Sequence, residues 1–281
     1  MTNEPGSGVA PVVGARGMHT GSGPYGDVAG YDRYLGRWSR LFVQALVEAA
    51  AIGRGDRVLD VATGTGDAAI AVRGVVGGGG FVIGCDIATA MAGAARQRSG
   101  GTLAVVAADA QLLPFGDDTF DAVICQLGLM FFPSAHEALV EFARVVRPAG
   151  RVAVGVLSTP ARAAMWGVLA GVLSDHLPGQ HDAFHLSFAL ADPDSVIEPF
   201  TVAGYRDVQV QRHVRDGVFE SLDEHWEPIE RGIGQLPHAY CSLPEPVRRR
   251  VHDEVNDLLA AYRDGDRLVM SVEALIATGH R

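Results

Sequence analysis

Between Arg57 and Leu157 the chain alternates, five times over, between a short apolar run and a polar or helical stretch. "RVLDVA", "FVIGCDI", "TLAVVAAD", "FDAVICQLGL" and "RVAVGVL" are the apolar runs. "DAAIAVRGVV", "TAMAGAARQR" and "SAHEALVEFARVVR" between them carry helical spacing, the last stopped by Pro148 and Gly150. A strand apolar at nearly every position must be buried on both faces. Strands of that kind joined by helices build a parallel sheet with helices on either side. The sequence therefore predicts an α/β fold.

The flanks read differently. Residues 1–24, rich in Gly, Ser and Pro without a period, are expected to be a mobile tail. "YDRYLGRWSRLFVQALVEAA" follows as an amphipathic helix. After Leu157 a helix and a histidine-bearing loop, "DHLPGQHDAFHLSF", precede the helical "ADPDSVIEPFTVAGY", capped by Asp192 or Asp194 and ended by Gly204. "RDVQVQRH" is a predicted strand, residues 221–262 a mainly helical insertion, and "DRLVMSVEALIATGHR" a last strand. With 281 residues, 48% of them hydrophobic, one domain over 25–281 is the simplest expectation.

Composition narrows the partners. A net charge of −10 disfavours a phosphate backbone, so nucleic acid is not the expected partner. "RRR" at 248–250 shares its helix with Asp253 and Glu254 and reads as a solvated face. No run has the length and flanks of a membrane span or a secretory leader. Cys85, Cys125 and Cys241 are too scattered for a zinc site, and reducing cytoplasm is the expected compartment. No metal and no membrane partner are expected.

The first strand runs into "VLDVATGTGD", where "GTGDAA" satisfies the G-x-G-x-x-A pattern of a nucleotide-binding loop. Asp60 and Asp67 flank these glycines. A pyrophosphate at the helix N-terminus would meet two carboxylates, a repulsion of about several kcal/mol at ~4 Å and intermediate dielectric. A nucleoside carrying positive charge suits the site better: S-adenosylmethionine has an ammonium and a sulfonium and no phosphate. Asp86 ends the second strand in "GCDI", where a carboxylate can accept both ribose hydroxyls. It could instead cap the following helix, a role Thr89 could also fill. Asp109, after the third strand, suits an adenine amino group, with the Ala110 amide beside it, or serves a turn. Ligands of open α/β sheets bind at this carboxyl edge.

These stretches, with "AADAQLLPFGDDTFDAV" and "EFARVVRPAGRVAV", resemble the successive motifs of class I S-adenosylmethionine-dependent methyltransferases, nearest the quinone-biosynthesis C-methyltransferase branch. The resemblance is strong over 31–157 and weak at the last strand. It implies a Rossmann-like sheet of seven mainly parallel strands, with a helical substrate cover built from 25–50, 158–200 and 213–266 around a cofactor-binding core at 50–157. It implies S-adenosylmethionine as cofactor and a small organic acceptor, quinone-like or a secondary-metabolite scaffold, methylated on carbon or oxygen. Carried across, Asp60, Gly64 and Gly66 line the methionine part, Asp86 holds the ribose, Ile87 and Met91 face the adenine, Asp109 and Ala110 read its edge, and Gln126 lies near the methionine backbone or the methyl. One departure is Ala62, where the pattern has glycine; its methyl is tolerable if φ is negative.

Tyr31, Tyr34 and Trp38 share one helical face, either a core stripe or a cover over the cofactor. In the second reading Tyr31 donates a hydroxyl and Arg37 meets the methionine carboxylate. Methyl transfer from a sulfonium is an in-line displacement that needs alignment and dryness more than acid or base. His185, set among Phe184, Leu186 and Phe188, is the candidate general base, with Met165 and Trp166 as further wall. A non-methylating enzyme that retains the cofactor, such as a cyclase, and a small-molecule-binding regulator are the alternatives on the same fold.

Overall fold

The computed structural model describes residues 27–281; the tail expected at 1–24 lies outside the described residues. Eight strands form one sheet: β1 (Arg57–Val61), β2 (Phe81–Asp86), β3 (Ala104–Ala107), β4 (Phe120–Gln126), β5 (Val146–Leu157), β6 (Arg206–Phe219), β7 (Arg263–Asp264) and β8 (Arg267–His280). The order is β3-β2-β1-β4-β5-β8-β6, with the two-residue β7 pairing β8 outside this path. The first five strands are parallel, and β8 runs antiparallel between β5 and β6. This path has the seven mainly parallel strands expected, with β7 as an addition.

The sequence pattern explains the sheet. Every residue of β4 is buried, as expected of a central strand covered on both faces. α3 (Asp67–Val76) and α4 (Thr89–Arg98) are the crossovers after β1 and β2, and α5 (Ala135–Val145) links β4 to β5. α5 is capped by Ser134 Oγ, which accepts from the Glu137 amide.

The N-terminal helix is continuous but irregular: α1 (Val28–Tyr31) passes through a π-helical segment, Asp32–Gly36, into α2 (Arg37–Ala49). α2 buries Trp38, Phe42 and Leu46. Tyr34 and Trp38 thus belong to the core, whereas Tyr31 faces the cavity described below. Past β5 come α6 (Ala164–His176), the short α7 (His181–Phe184) and α8 (Pro193–Val202), and then α9 (Leu222–Glu230), α10 (Gln235–Cys241) and α11 (Glu245–Leu259) before β7. β6 runs to Phe219 rather than His213, so residues 213–219, expected in the cover, belong to the sheet. Among the described residues no helix is long and apolar enough to cross a membrane.

Candidate functional site

The carboxyl ends of β1, β2 and β4 open onto a cavity that is partly open to solvent. One wall is the sheet edge: Ala62, Gly64, Asp86, Ile87, Met91, Asp109, Ala110 and Gln126. The other is apolar, from Leu35 on the N-terminal helix, Met130, Phe131, Leu157 and Trp166. A narrower recess, lined by Asp60, Thr63, Asp67, Ser39 and Gln126, continues beneath Tyr31 and Gly64.

The glycine loop is held by acids from inside. Asp60 is wholly buried, and its Oδ2 accepts from Thr63 Oγ1 at 2.7 Å and from the Ala69 amide at 3.0 Å, in the first turn of α3. Gly84 on β2 makes room for this, since a Cβ there would sit 3.0 Å from the Thr63 side chain. Oδ1 of Asp60 has no hydrogen-bond partner among the described residues. Burial raises the Asp60 pKa to about 7, against the pull of its two donors. Asp86 accepts from the Gly64 amide (2.8 Å) and from the Ala88 amide (2.9 Å), so it fastens the glycine loop to the end of β2. Its pKa is raised by burial, while the two amides pull it down. α4 has Ala88 as its N-cap, with no side-chain cap bond; Thr89 is its first helical residue. Asp109 Oδ1 accepts from the Gln111 amide, a turn bond, and the residue lines the cavity as well.

Three expected site residues stand elsewhere. Arg37 donates to Glu224 (2.6 Å) and to the Val218 carbonyl (2.6 Å), with its guanidinium over the Phe219 ring. Its fork is spent on α9 and β6, and the residue does not line the cavity. Gly66 serves packing: its φ is +89°, and a Cβ would meet Ala95 of α4 at 3.0 Å. His185 does not line the cavity. It stacks on His181 at 4.1 Å, and its Nδ1 lies 3.0 Å from the His181 carbonyl and 3.4 Å from Ser174 Oγ. Ser187, two residues on, is what this loop presents to the cavity.

Ala62 also departs from expectation, since its φ is +55°. An alanine there is strained by about 1–2 kcal/mol. Its methyl occupies the space beside Gly128, where an added Cβ would lie 2.5 Å from it and 3.0 Å from Cys125 Sγ. Gly128→Ala is expected to cost about 1–3 kcal/mol through overpacking. In an Ala62→Gly background the cost should fall, and urea unfolding of the four proteins of this cycle measures the coupling.

The sequence reading missed a charge cluster behind the recess. Asp67 is paired with Arg98 (2.8 Å) and Arg40 (3.3 Å), and Asp32 of the π-helical segment with Arg40 (2.7 Å). Thr65 donates to Asp32 and accepts from Arg98. The cluster ties the N-terminal helix to the glycine loop and α4. It also neutralises Asp67, and burial favours the protonated form of Asp60, so the electrostatic case against a pyrophosphate is weaker than the sequence implied and rests mainly on Asp86. A helix carrying both Asp32 and Arg40 was visible in sequence; its placement over Asp67 depends on the π turn and was not.

Known proteins carry the same pattern. Residues 35–167, just under half of the chain, match the ubiE/COQ5 methyltransferase family. The demethylmenaquinone methyltransferase of Mycobacterium marinum is 39% identical over 149 residues, which take in 53% of this chain and 59% of that relative. The chain thus matches less than two thirds of that relative's length. Among solved structures, the YcgJ protein of Bacillus subtilis superposes with a TM-score of 0.57 at 19% identity, covering 85% of this chain and 97% of its own. An N-methyltransferase of Haemonchus contortus, solved with phosphomonomethylethanolamine and S-adenosylhomocysteine, superposes with a TM-score of 0.59 at 15% identity, covering 96% of this chain and 60% of its own. The chain has the class I methyltransferase fold, and its residues 35–167 are similar to the ubiE/COQ5 methyltransferase family.

Proposed function

We propose that this protein uses S-adenosylmethionine to methylate a small, flat, largely apolar acceptor of the quinone or hydroquinone type. The observation that carries the reading is the cavity's division into a carboxylate-bearing sheet edge and an apolar aromatic wall. The residues fit the cofactor. Asp60 Oδ1 is a buried acceptor lacking a donor, as an ammonium would supply, and Asp86 stands at the strand end where a ribose needs an acceptor. Ile87, Met91 and Ala110 offer an apolar slot for a base, with Asp109 at its edge. Bound there, the cofactor supplies an activated methyl group.

The protein's part is alignment and exclusion of water. Tyr31 and Gln126 close the recess from above and from β4, and Gln126 is steadied by its Nε2 donating to the Ser39 carbonyl at 3.3 Å. Leu35, Met130, Leu157 and Trp166 form the acceptor's wall. With His185 turned aside, the cavity-lining groups able to move a proton are Tyr31, Asp86 and Asp109. Asp86 and Asp109 belong to the cofactor's half, which favours an acceptor acidic enough to arrive ionised. A hydroquinone carbon or oxygen meets that condition better than an alcohol.

S-adenosylhomocysteine at ~100 times its dissociation constant is expected to stabilise the protein by about 2.7 kcal/mol in thermal unfolding, and NAD and NADP are not. Stabilisation by NAD alone would sink the cofactor reading. Transfer of a labelled methyl group to a naphthohydroquinone tests the acceptor class. Cofactor binding without transfer to any acceptor would favour the non-methylating alternatives.

A further inference from the structure

β6 is the end of the sheet. One of its sides pairs with β8; along the other no strand pairs with it among the described residues. An edge of this length presents a row of unpaired backbone donors and acceptors to any second strand. Its sequence, "RDVQVQRHVRD" over 206–216, is antisymmetric in charge about Gln211. Arg206 and Asp216 lie equally far on either side, then Asp207 and Arg215, then Val208 and Val214.

We propose that β6 is a homodimer interface, in which two copies pair antiparallel across a two-fold axis through Gln211. In that register each Asp207 falls opposite Arg215 of the second copy and each Val208 opposite Val214, just beyond the ends of a regular ladder. A slip of one residue in one direction sets Arg206 against Arg215; a slip in the other sets Asp207 against Asp216. Like charges directly opposite are destabilising and opposite charges stabilising, so the pattern selects one register among its neighbours. A two-fold contact is self-complementary by construction, and this strand is self-complementary in charge.

The local structure leaves Asp207 and Arg215 available, whereas Arg206 donates to the Arg281 carbonyl and Asp216 accepts from Ser271 Oγ. Asp207 and Arg215 are both exposed, and neither enters an ion pair among the described residues; the Arg215 guanidinium reaches only the carbonyl of Val214. Val214 is an apolar side chain left 52% exposed. The pairing of β6 with β8 shifts register between Arg206 and Gln209, and Asp207 has a φ of +51°. This bulge ends the regular ladder, so the backbone pairing would span 209–213, with an Asp207–Arg215 ion pair closing each end.

Sedimentation velocity over a concentration series tests the interface. The wild type should show reversible dimerisation, and Arg215→Asp should weaken it by about tenfold or more, because both symmetry-related pairs turn repulsive. Asp207→Arg combined with Arg215→Asp should restore it. The register has its own readout. A residue on the axis faces itself at roughly 4.5–5.5 Å between Cα atoms, within reach of a disulfide. In a Cys241→Ser background, Gln211→Cys should therefore cross-link to its own copy on mild oxidation, and Gln209→Cys should not. A wild type that stays monomeric, an association untouched by Arg215→Asp, failure of the double swap to restore it, or equal cross-linking at 209 and 211 would each overturn the proposal.

Discussion

Asp86→Ala is expected to weaken S-adenosylhomocysteine binding by about 10- to 100-fold in a protein that remains folded. The loss is that of a charged acceptor for hydroxyl donors, about 1.5–3 kcal/mol. The structure adds a second reason. Asp86 also anchors the Gly64 and Ala88 amides, so its removal loosens the loop that shapes the recess. Asp86→Asn separates the two effects, because an amide oxygen can still accept from the loop but carries no charge. Isothermal calorimetry on both variants decides the matter. Unchanged affinity in a folded Asp86→Ala protein would reduce the residue to a loop fastener.

Trp38→Ala should produce the largest loss of stability, about 3–5 kcal/mol, as for other buried aromatic truncations. Trp38 is 1% exposed and packs against Phe219 at 5.5 Å and Trp166 at 6.1 Å between ring centroids. Its ring lies over Gly217 of β6, where an added Cβ would come within 2.0 Å of it. The cavity left behind would border the acceptor wall through Trp166, so acceptor affinity should fall together with the urea midpoint. A midpoint shift of less than about 1 kcal/mol would mean that the N-terminal helix docks by other contacts.

The first five strands were legible because burial on both faces leaves an unbroken apolar signature, as in "FDAVICQ". The end of β6 was not. Its outer residues are exposed, so Val214 to Gly217 read as polar chain although β8 pairs with each of them. Asp60, Asp86 and Gln126 line the cavity or its recess as the sequence suggested, because strand ends fix where a side chain emerges. Arg37 and His185 were misplaced for a different reason. On a helix carrying a π turn, and in a loop of short helical turns, a side chain's direction depends on local phase that spacing does not encode. The sign of φ at Ala62 was likewise hidden, because alanine gives no hint of a left-handed backbone.

The buried Asp60 carboxyl gives the site a proton inventory. Its folded pKa of about 7 lies above the ordinary value of 3.8, so the folded protein holds a proton that the unfolded chain releases. By linkage, stability from this group is full below about pH 4 and is lost as pH rises through 7. A cationic group placed beside Oδ1 reverses that preference, since it favours the carboxylate. Occupation of the recess then expels a proton into the medium. The heat of binding between pH 6 and 7 would vary with the ionisation enthalpy of the buffer, and affinity for the ammonium would climb with pH across that interval.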